Sequence, residues 1–576
     1  MFQKRQFLFL IATLTITLMF AQERKQDTLN PDVINVIKPY APTISDAFKV
    51  KEAPTLDDAE TATKKDIKYN IFSFPVASTF TPAKGKAAVV DKAKKVKLYD
   101  NYATLGVGTY TTILGEVYLN HELNSGENVS AHVSHHSSQG GIEDVLTDDN
   151  FLDSKIDLSY SKLTNDLDWT VAGGFGIQSY NWYGLDQSIF TQTTADTLDV
   201  NHNFTDAHIS GGINLEDGIF KGADILFRRF GDNQGSGENR LKLSGTGDIP
   251  VRDEIVSTIL SLDYLGGNFE RNYFNATEIN YSNIQIGLAP TYQIKKDDLT
   301  VNLGVTLTYL NDTEAGKSSF FIYPNINASY RLVDEYVIAF GGVKGGLIQN
   351  SYYDFSSENS FVSPTLFITP TDEQYNAYVG LKGKLSNAIG YSVSGSYKSE
   401  KSKALFTNNP IRASNNSYSY GNSFGVTYDD VTTLGFATEL SVDVNRNFTL
   451  GVKGDYFIYN TKNEDEAWNL PNVKGTLFMD YQINENWFAV ANLFFVGERK
   501  DVYENQTLAS LPATPASVID LDSYFDANVH VGYHVNDRIS VFVKGNNLVG
   551  ENYNKWQNTP VQGIQFLAGG TYKFDF

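Results

Sequence analysis

The chain has 576 residues and a formal charge of −21, with 34 Tyr and 37 Phe but only 3 Met and no Cys. The absence of cysteine excludes a lipoprotein anchor, a disulfide framework and a thiolate metal site, and the acidic balance argues against nucleic acid as a partner. No stretch beyond the N-terminus approaches the ~18 consecutive apolar residues of a spanning helix, which excludes a helical membrane protein but not a barrel, whose strands need only every second residue apolar.

Taken in chain order, the first segment reads as an export signal. Lys4 and Arg5 supply a positive start, Phe7 to Phe20 form an uncharged and mainly apolar core, and Ala21 offers a small residue for cleavage before Gln22. Residues 1–21 are therefore expected to be a signal peptide. Residues 22–100 are rich in Pro, Lys, Ala and Asp, with breaks at Pro31, Pro39, Pro42, Pro54, Pro75 and Pro82. This zone is expected to be an extended segment, periplasmic or inserted into a lumen, with at most short strands such as Val33–Ile37 and Tyr69–Phe74.

From Asn101 to Phe576 strand-like runs alternate with turns and helical periodicity is nearly absent. In Leu299–Tyr309, the residues Leu299, Val301, Leu303, Val305, Leu307 and Tyr309 share one face, and Thr300, Asn302, Gly304, Thr306 and Thr308 share the other. A strand sends successive side chains to opposite faces, so such a run has one greasy and one wet side. Phe525–Val535 and Val473–Gln482 repeat the pattern. The last run sets Ile564, Phe566, Ala568, Gly570, Tyr572, Phe574 and Phe576 against Gln565, Thr571, Lys573 and Asp575.

Soluble sandwiches alternate too, so length and turn asymmetry decide. The runs exceed the soluble average of about 5–6 residues and suit a tilted membrane strand of about 9–11. Tight polar turns are expected near Asn124–Glu127, Thr164–Asp166, Leu215–Gly218, Gly247–Arg252, Lys295–Asp298, Val333–Glu335, Leu385–Ala388, Val444–Asn447, Asn484–Asn486 and Asn536–Arg538. Longer connections lie between them, among them Gly140–Asp153, Trp182–Asn203, Ser351–Glu373, Lys401–Ser417 and Glu498–Asp522. Short turns on one side and long loops on the other predict an all-β fold: a transmembrane antiparallel β-barrel of about 22 strands over residues 101–576. Its first strand would be Asn101–Tyr110, its last Gly563–Phe576, and Phe424–Val444 one long strand. The five tryptophans, Trp169, Trp182, Trp468, Trp487 and Trp556, fall near strand ends, where membrane interfaces favour amphipathic rings.

The run Val541-Phe-Val-Lys-Gly-Asn-Asn-Leu548, followed by Tyr553, Gly563-Ile-Gln-Phe-Leu-Ala-Gly-Gly-Thr-Tyr-Lys-Phe574 and Phe576, resembles the C-terminal strands of TonB-dependent receptors. The motif covers about the last 40 residues, while the expected architecture matches from Asn101 onward. The resemblance implies a transport or receptor barrel in the outer membrane of a Gram-negative bacterium, inserted by the barrel assembly machinery through a C-terminal signal in Tyr572, Phe574 and Phe576. It also points to TonB or a surface lipoprotein as candidate partners, besides outer-membrane lipid. The chain departs from that family before the barrel, since only Gln22–Asp100 precede it where a large folded plug is expected. Within that stretch Val33, Ile34, Asn35, Val36 and Ile37 resemble a TonB box, a segment that pairs as an added strand with its energising partner. The alternative is a non-transporting accessory barrel of an outer-membrane assembly or secretion complex.

No enzyme is expected, and no cofactor. The eight histidines are His121, His132, His135, His136, His202, His208, His530 and His534. His530 with His534, and His132 with His136, share wet faces of two strands. They would form a metal site only if those strands met; the competing reading is polar lumen lining. The acidic run Glu143, Asp144, Asp148, Asp149 and Asp153 lacks calcium-loop spacing and reads as a solvated loop. Lys453, Asp455, Lys474 and Asp480 are expected to line a hydrated, charge-paired lumen.

Overall fold

The computed structural model describes residues 97–412, 414–507 and 514–576. The expected signal peptide and the TonB-box-like Val33–Ile37 lie outside the described residues. Twenty-two antiparallel strands form one sheet, and the first, Asn101–Gly108, pairs both with Thr112–Asn124 and with the last, Gln565–Phe574, so the sheet closes on itself. Closure gives every spanning backbone group a partner, which hydrocarbon demands. The seam is tight. Gly106 and Gly569 face each other across it, and a Cβ on Gly569 would lie 2.4 Å from the Leu105 carbonyl oxygen.

Alternation sorts the side chains as expected. Leu303 and Tyr309, from the greasy face of the eleventh strand, point outward, whereas Thr306 and Thr308 line an internal cavity. Val379, Ile322 and Leu105 are 69%, 66% and 63% exposed, so the exterior is an apolar surface that only a bilayer covers. Asp455 stands in register with Lys474, and Lys453 with Glu439, on neighbouring strands.

All ten tight turns occur. The one expected across Gly247–Arg252 falls later, at Arg252–Asp253, because the strand Gly237–Val251 keeps Ile249 and Val251 on its apolar face to the end. Phe424–Asn445 is a single strand of 22 residues. Its partner, Ile389–Asn408, runs through the expected start of a loop at Lys401 by absorbing an irregularity there, with Ser402 at φ 50°.

The opposite side differs from expectation in three places. Thr109–Thr111, Asn233–Ser236 and Thr313–Gly316 are short connections on the long-loop side. Local turn chemistry explains two of them: Asp232 Oδ1 accepts from the backbone N–H of Gln234 and Ser236, Asp312 Oδ1 from Glu314 and Ala315, and Gly235 and Gly316 supply positive φ. In the first, Tyr110 and Thr111 themselves adopt positive φ. The longer loops carry structure of their own: a helix at Tyr352–Glu358, a helical turn at Gln192–Ala195, and a hairpin of Arg499–Thr507 with Thr514–Leu521.

Candidate functional site: a loop lid over a polar lumen

Buried apolar side chains concentrate at the long-loop end of the barrel. Trp182 and Val200, Tyr273 and Tyr418 come from three different loops and form one cluster. The loop 182–200 joins the fifth and sixth barrel strands, and 409–423 the fifteenth and sixteenth, so the two arise half-way round the ring from each other. They are nevertheless joined: Asn422 Nδ2 donates to the Trp182 carbonyl oxygen at 2.8 Å, and Trp182 packs against Tyr418 with ring centroids 5.3 Å apart. Tyr273 Oη donates to the Pro410 carbonyl oxygen from a further loop. Such contacts bridge the mouth, and the loops form a lid.

The helix Tyr352–Glu358 is the lid's deepest part. Ser351 begins it, its Oγ accepting from the Asp354 N–H at 3.0 Å. The strand Gly237–Val251 then holds the helix start through Glu238, whose carboxylate accepts from the N–H of Tyr352 at 2.7 Å and from Tyr281 Oη at 2.8 Å. Arg240 on the same strand forks onto Asp263 at 3.0 and 2.7 Å and reaches Asp354 of the helix at 3.0 Å. Tyr352 donates to Asp232 at 2.6 Å and inserts its ring among Phe204, Phe230 and Phe269. Full burial of a tyrosine with its hydroxyl satisfied is a strong anchor.

Two further contacts complete the lid. Trp556 packs on Phe406 and Phe424, the outer ends of two long strands. Arg499, at the base of the hairpin, donates to the carbonyl oxygen of Asn554 at 2.8 Å. Beside it Asp501 is fully buried and accepts from the Asn408 N–H at 2.9 Å, and burial pushes its carboxyl up to about 6.

Beneath the lid lies a polar lumen. A cavity of about 900 Å3 is lined by Asp224, Arg228, Lys242, Asp263, Gln285 and Thr308 among others. A second, about 510 Å3, has Lys155 and Asp206 on the wall and Ser357 and Glu358 of the lid helix beside Lys555. Desolvation raises the Glu358 carboxyl and lowers the Lys555 ammonium. An ionic chain links lumen to lid: His208 lies between Asp157 and Asp206, Asp206 pairs with Arg228 at 3.0 Å, and the Arg228 guanidinium sits 3.8 Å over the Tyr353 ring.

The expected site residues distribute as follows. Tyr572 and Phe574 stack with centroids 5.5 Å apart on the outer face, and Phe576 is exposed beside them. His132 faces Glu116 at 3.1 Å, while His530 and His534 pack around Phe488. Four strands separate those two histidine pairs, so they do not meet. Among the described residues no three of His, Asp and Glu gather as metal ligands. In the acidic loop, Asp149 accepts from the Ile142 N–H. One expectation is corrected: Trp182, Trp468 and Trp556 are 1%, 4% and 8% exposed and build the lid core, not a membrane-interface belt. Trp487, 45% exposed on the outer face, remains placed for that role. The lid residues escaped sequence reading because aromatic-rich loops carry no periodicity; Ser351-x-x-Asp354 was the available capping signal.

A closed ring of 22 strands with an oily exterior, a polar lumen and long loops on one side is the architecture of TonB-dependent receptor barrels. The apolar exterior is that of a barrel set in a lipid bilayer. The chain resembles the pyoverdine outer-membrane receptor FpvA of Pseudomonas aeruginosa PAO1, with a TM-score of 0.59 and 13% identity over 84% of this chain and 80% of that one. It resembles the ferric-catecholate import receptor Fiu of E. coli K12 equally, with a TM-score of 0.59 and 10% identity over 82% of each chain. The copper transporter OprC gives 0.58 and 12% over 82% and 80%. At these identities the likeness is one of fold. No family model and no curated protein matches the chain.

Proposed function

We propose that the chain is a gated outer-membrane transport or receptor barrel, in which the loop lid controls access to the lumen. The observation that carries this reading is the bond from Asn422 to Trp182, which joins loops from opposite sides of the ring above polar cavities. The lid is held by side-chain clusters, hydrogen bonds and ion pairs between loops, which can be released while the strand ladder beneath stays closed. The comparison receptors, described as receptors and transporters, support the same reading by fold. Energy for the step would enter through Val33–Ile37 as an added strand on TonB, and Ile34→Pro is expected to abolish energised uptake without altering barrel assembly. Residues 1–21 would direct export, and Tyr572, Phe574 and Phe576 would signal insertion. Planar-bilayer recording tests the conduit: Trp182→Ala, alone or with residues 22–96 deleted, is expected to conduct more than the intact chain. Absence of conductance in all three would overturn the conduit.

A further inference from the structure

A third cavity, of about 380 Å3, opens inside the barrel, with Asn181 and Tyr183 in one part of its wall, Asn528, Asn546 and Gln565 in another, and Phe361 of the lid loop between. Its chemistry differs from the rest of the lumen. Arg228, Lys242, Lys155 and Lys555 line the other two cavities, but among the described residues no Lys, Arg or His lines this one. Its two carboxylates are already engaged: Asp149 with the Ile142 N–H, and Asp526 with Tyr553 Oη and the Ala527 N–H. An anionic ligand would find no counter-charge here. A cation would have to compete for carboxylates that are hydrogen-bonded.

What remains is amide and aromatic surface. Each Asn or Gln side chain both donates and accepts, which matches a hydroxyl group, itself both donor and acceptor. The amides are pre-oriented by one another: Asn546 Nδ2 donates to Gln565 Oε1, and Gln565 Nε2 donates to Gln562 Oε1 at 2.7 Å. Asn547 is 4% exposed; its Nδ2 is taken by the carbonyl oxygens of Glu551 and Gln562, yet its Oδ1 has no donor. The rings of Tyr180, Tyr183 and Tyr553 supply flat apolar faces next to those amides.

We propose that this cavity binds a neutral saccharide, with hydroxyls on the amide cluster and a C–H face of the sugar ring against a tyrosine. The inference rests on the reading of the barrel as a conduit or receptor, and it names the cargo class. The test uses the full chain purified in detergent and saturation-transfer NMR with maltotriose, cellotriose, xylotriose and mannotriose. Sialyllactose serves as the anionic comparison and the fully deacetylated glucosamine trimer as the cationic one. Saturation transfer to at least one neutral trisaccharide and to neither charged probe is expected. Asn546→Leu with Gln565→Leu should weaken that binding at least tenfold, while Lys453→Gln, on a distant strand, leaves it unchanged. No transfer to any neutral probe, equal transfer to a charged one, or undiminished binding in the double variant overturns the proposal. Conductance of Trp182→Ala separates the two readings. Conductance without sugar binding sinks the saccharide site alone, whereas sugar binding without conductance or uptake sinks the conduit and leaves a receptor.

Discussion

The barrel wall and the lid are built on different physics. In the wall, each strand is bonded to its immediate neighbours along the ring, the apolar side chains face outward, and a bilayer supplies their environment. In the lid, the apolar side chains face one another, and the bonds join residues far apart in the chain, such as Asn422 with Trp182 or Tyr183 with Pro560. The wall is therefore a continuous ladder that fails as a unit. The lid is a set of separate side-chain contacts that can be released while the ladder stays closed, which is the division of labour a gated barrel requires.

The comparison breaks most severely at the seam. Gly569→Val puts a Cβ within 2.4 Å of backbone, where nothing flexible can yield, so the first and last strands should not close. The expected outcome is near-complete loss of the heat-modifiable folded form in electrophoresis of membranes. Next comes the lid centre. Trp182→Ala removes a buried ring, and a cavity of that kind costs about 3–5 kcal/mol, here confined to the loops. Hydrogen exchange should rise across 182–200 and 409–423 while the barrel strands keep their protection. If the strands lose protection as well, the wall and lid are not separable.

A pH effect of intermediate size is expected at Asp501. Its carboxyl is raised by burial from 3.8 to about 6, so between those values the packed hairpin holds its proton more tightly than the opened one. Packing is therefore strongest below pH 4 and weakens as pH rises towards 6, by at most roughly 3 kcal/mol, with little change beyond. Exchange of the Asn408 and Val502 amides, corrected for intrinsic rates, should follow that course, and Asp501→Asn should flatten it. The smallest effect is expected for Asp354→Ala. Arg240 keeps its two bonds to Asp263, and the Asp354 carboxylate is half exposed, so the loss should be about 1 kcal/mol. Limited proteolysis of 349–370 would register it as a modest rise in cleavage.

The same contrast explains what reading the residues achieved. Leu299–Tyr309 alternates because one face meets lipid and the other water, and that pattern is visible in any single strand without knowledge of its neighbours. Short turns could be placed for the same reason, since Asp, Asn and Gly act locally. Loop length misled where Asp232 and Asp312 closed tight turns on the long-loop side. It misled again at Lys401, where the strand continued through an irregularity. Trp182 and Trp556 were assigned to the interface because proximity to a strand end is all that sequence offers; their burial depends on residues hundreds of positions away.

By itself the amino-acid order determined the wall: period-two alternation sets which face is oily, and backbone groups in hydrocarbon oblige such strands to close. The three-dimensional structure alone decided the lid, the lumen cavities and the amide cluster, because these arise where loops from opposite sides of a ring converge. Strand periodicity records an environment residue by residue, whereas loop–loop contact depends on ring closure, which brings together segments that carry no mark of one another.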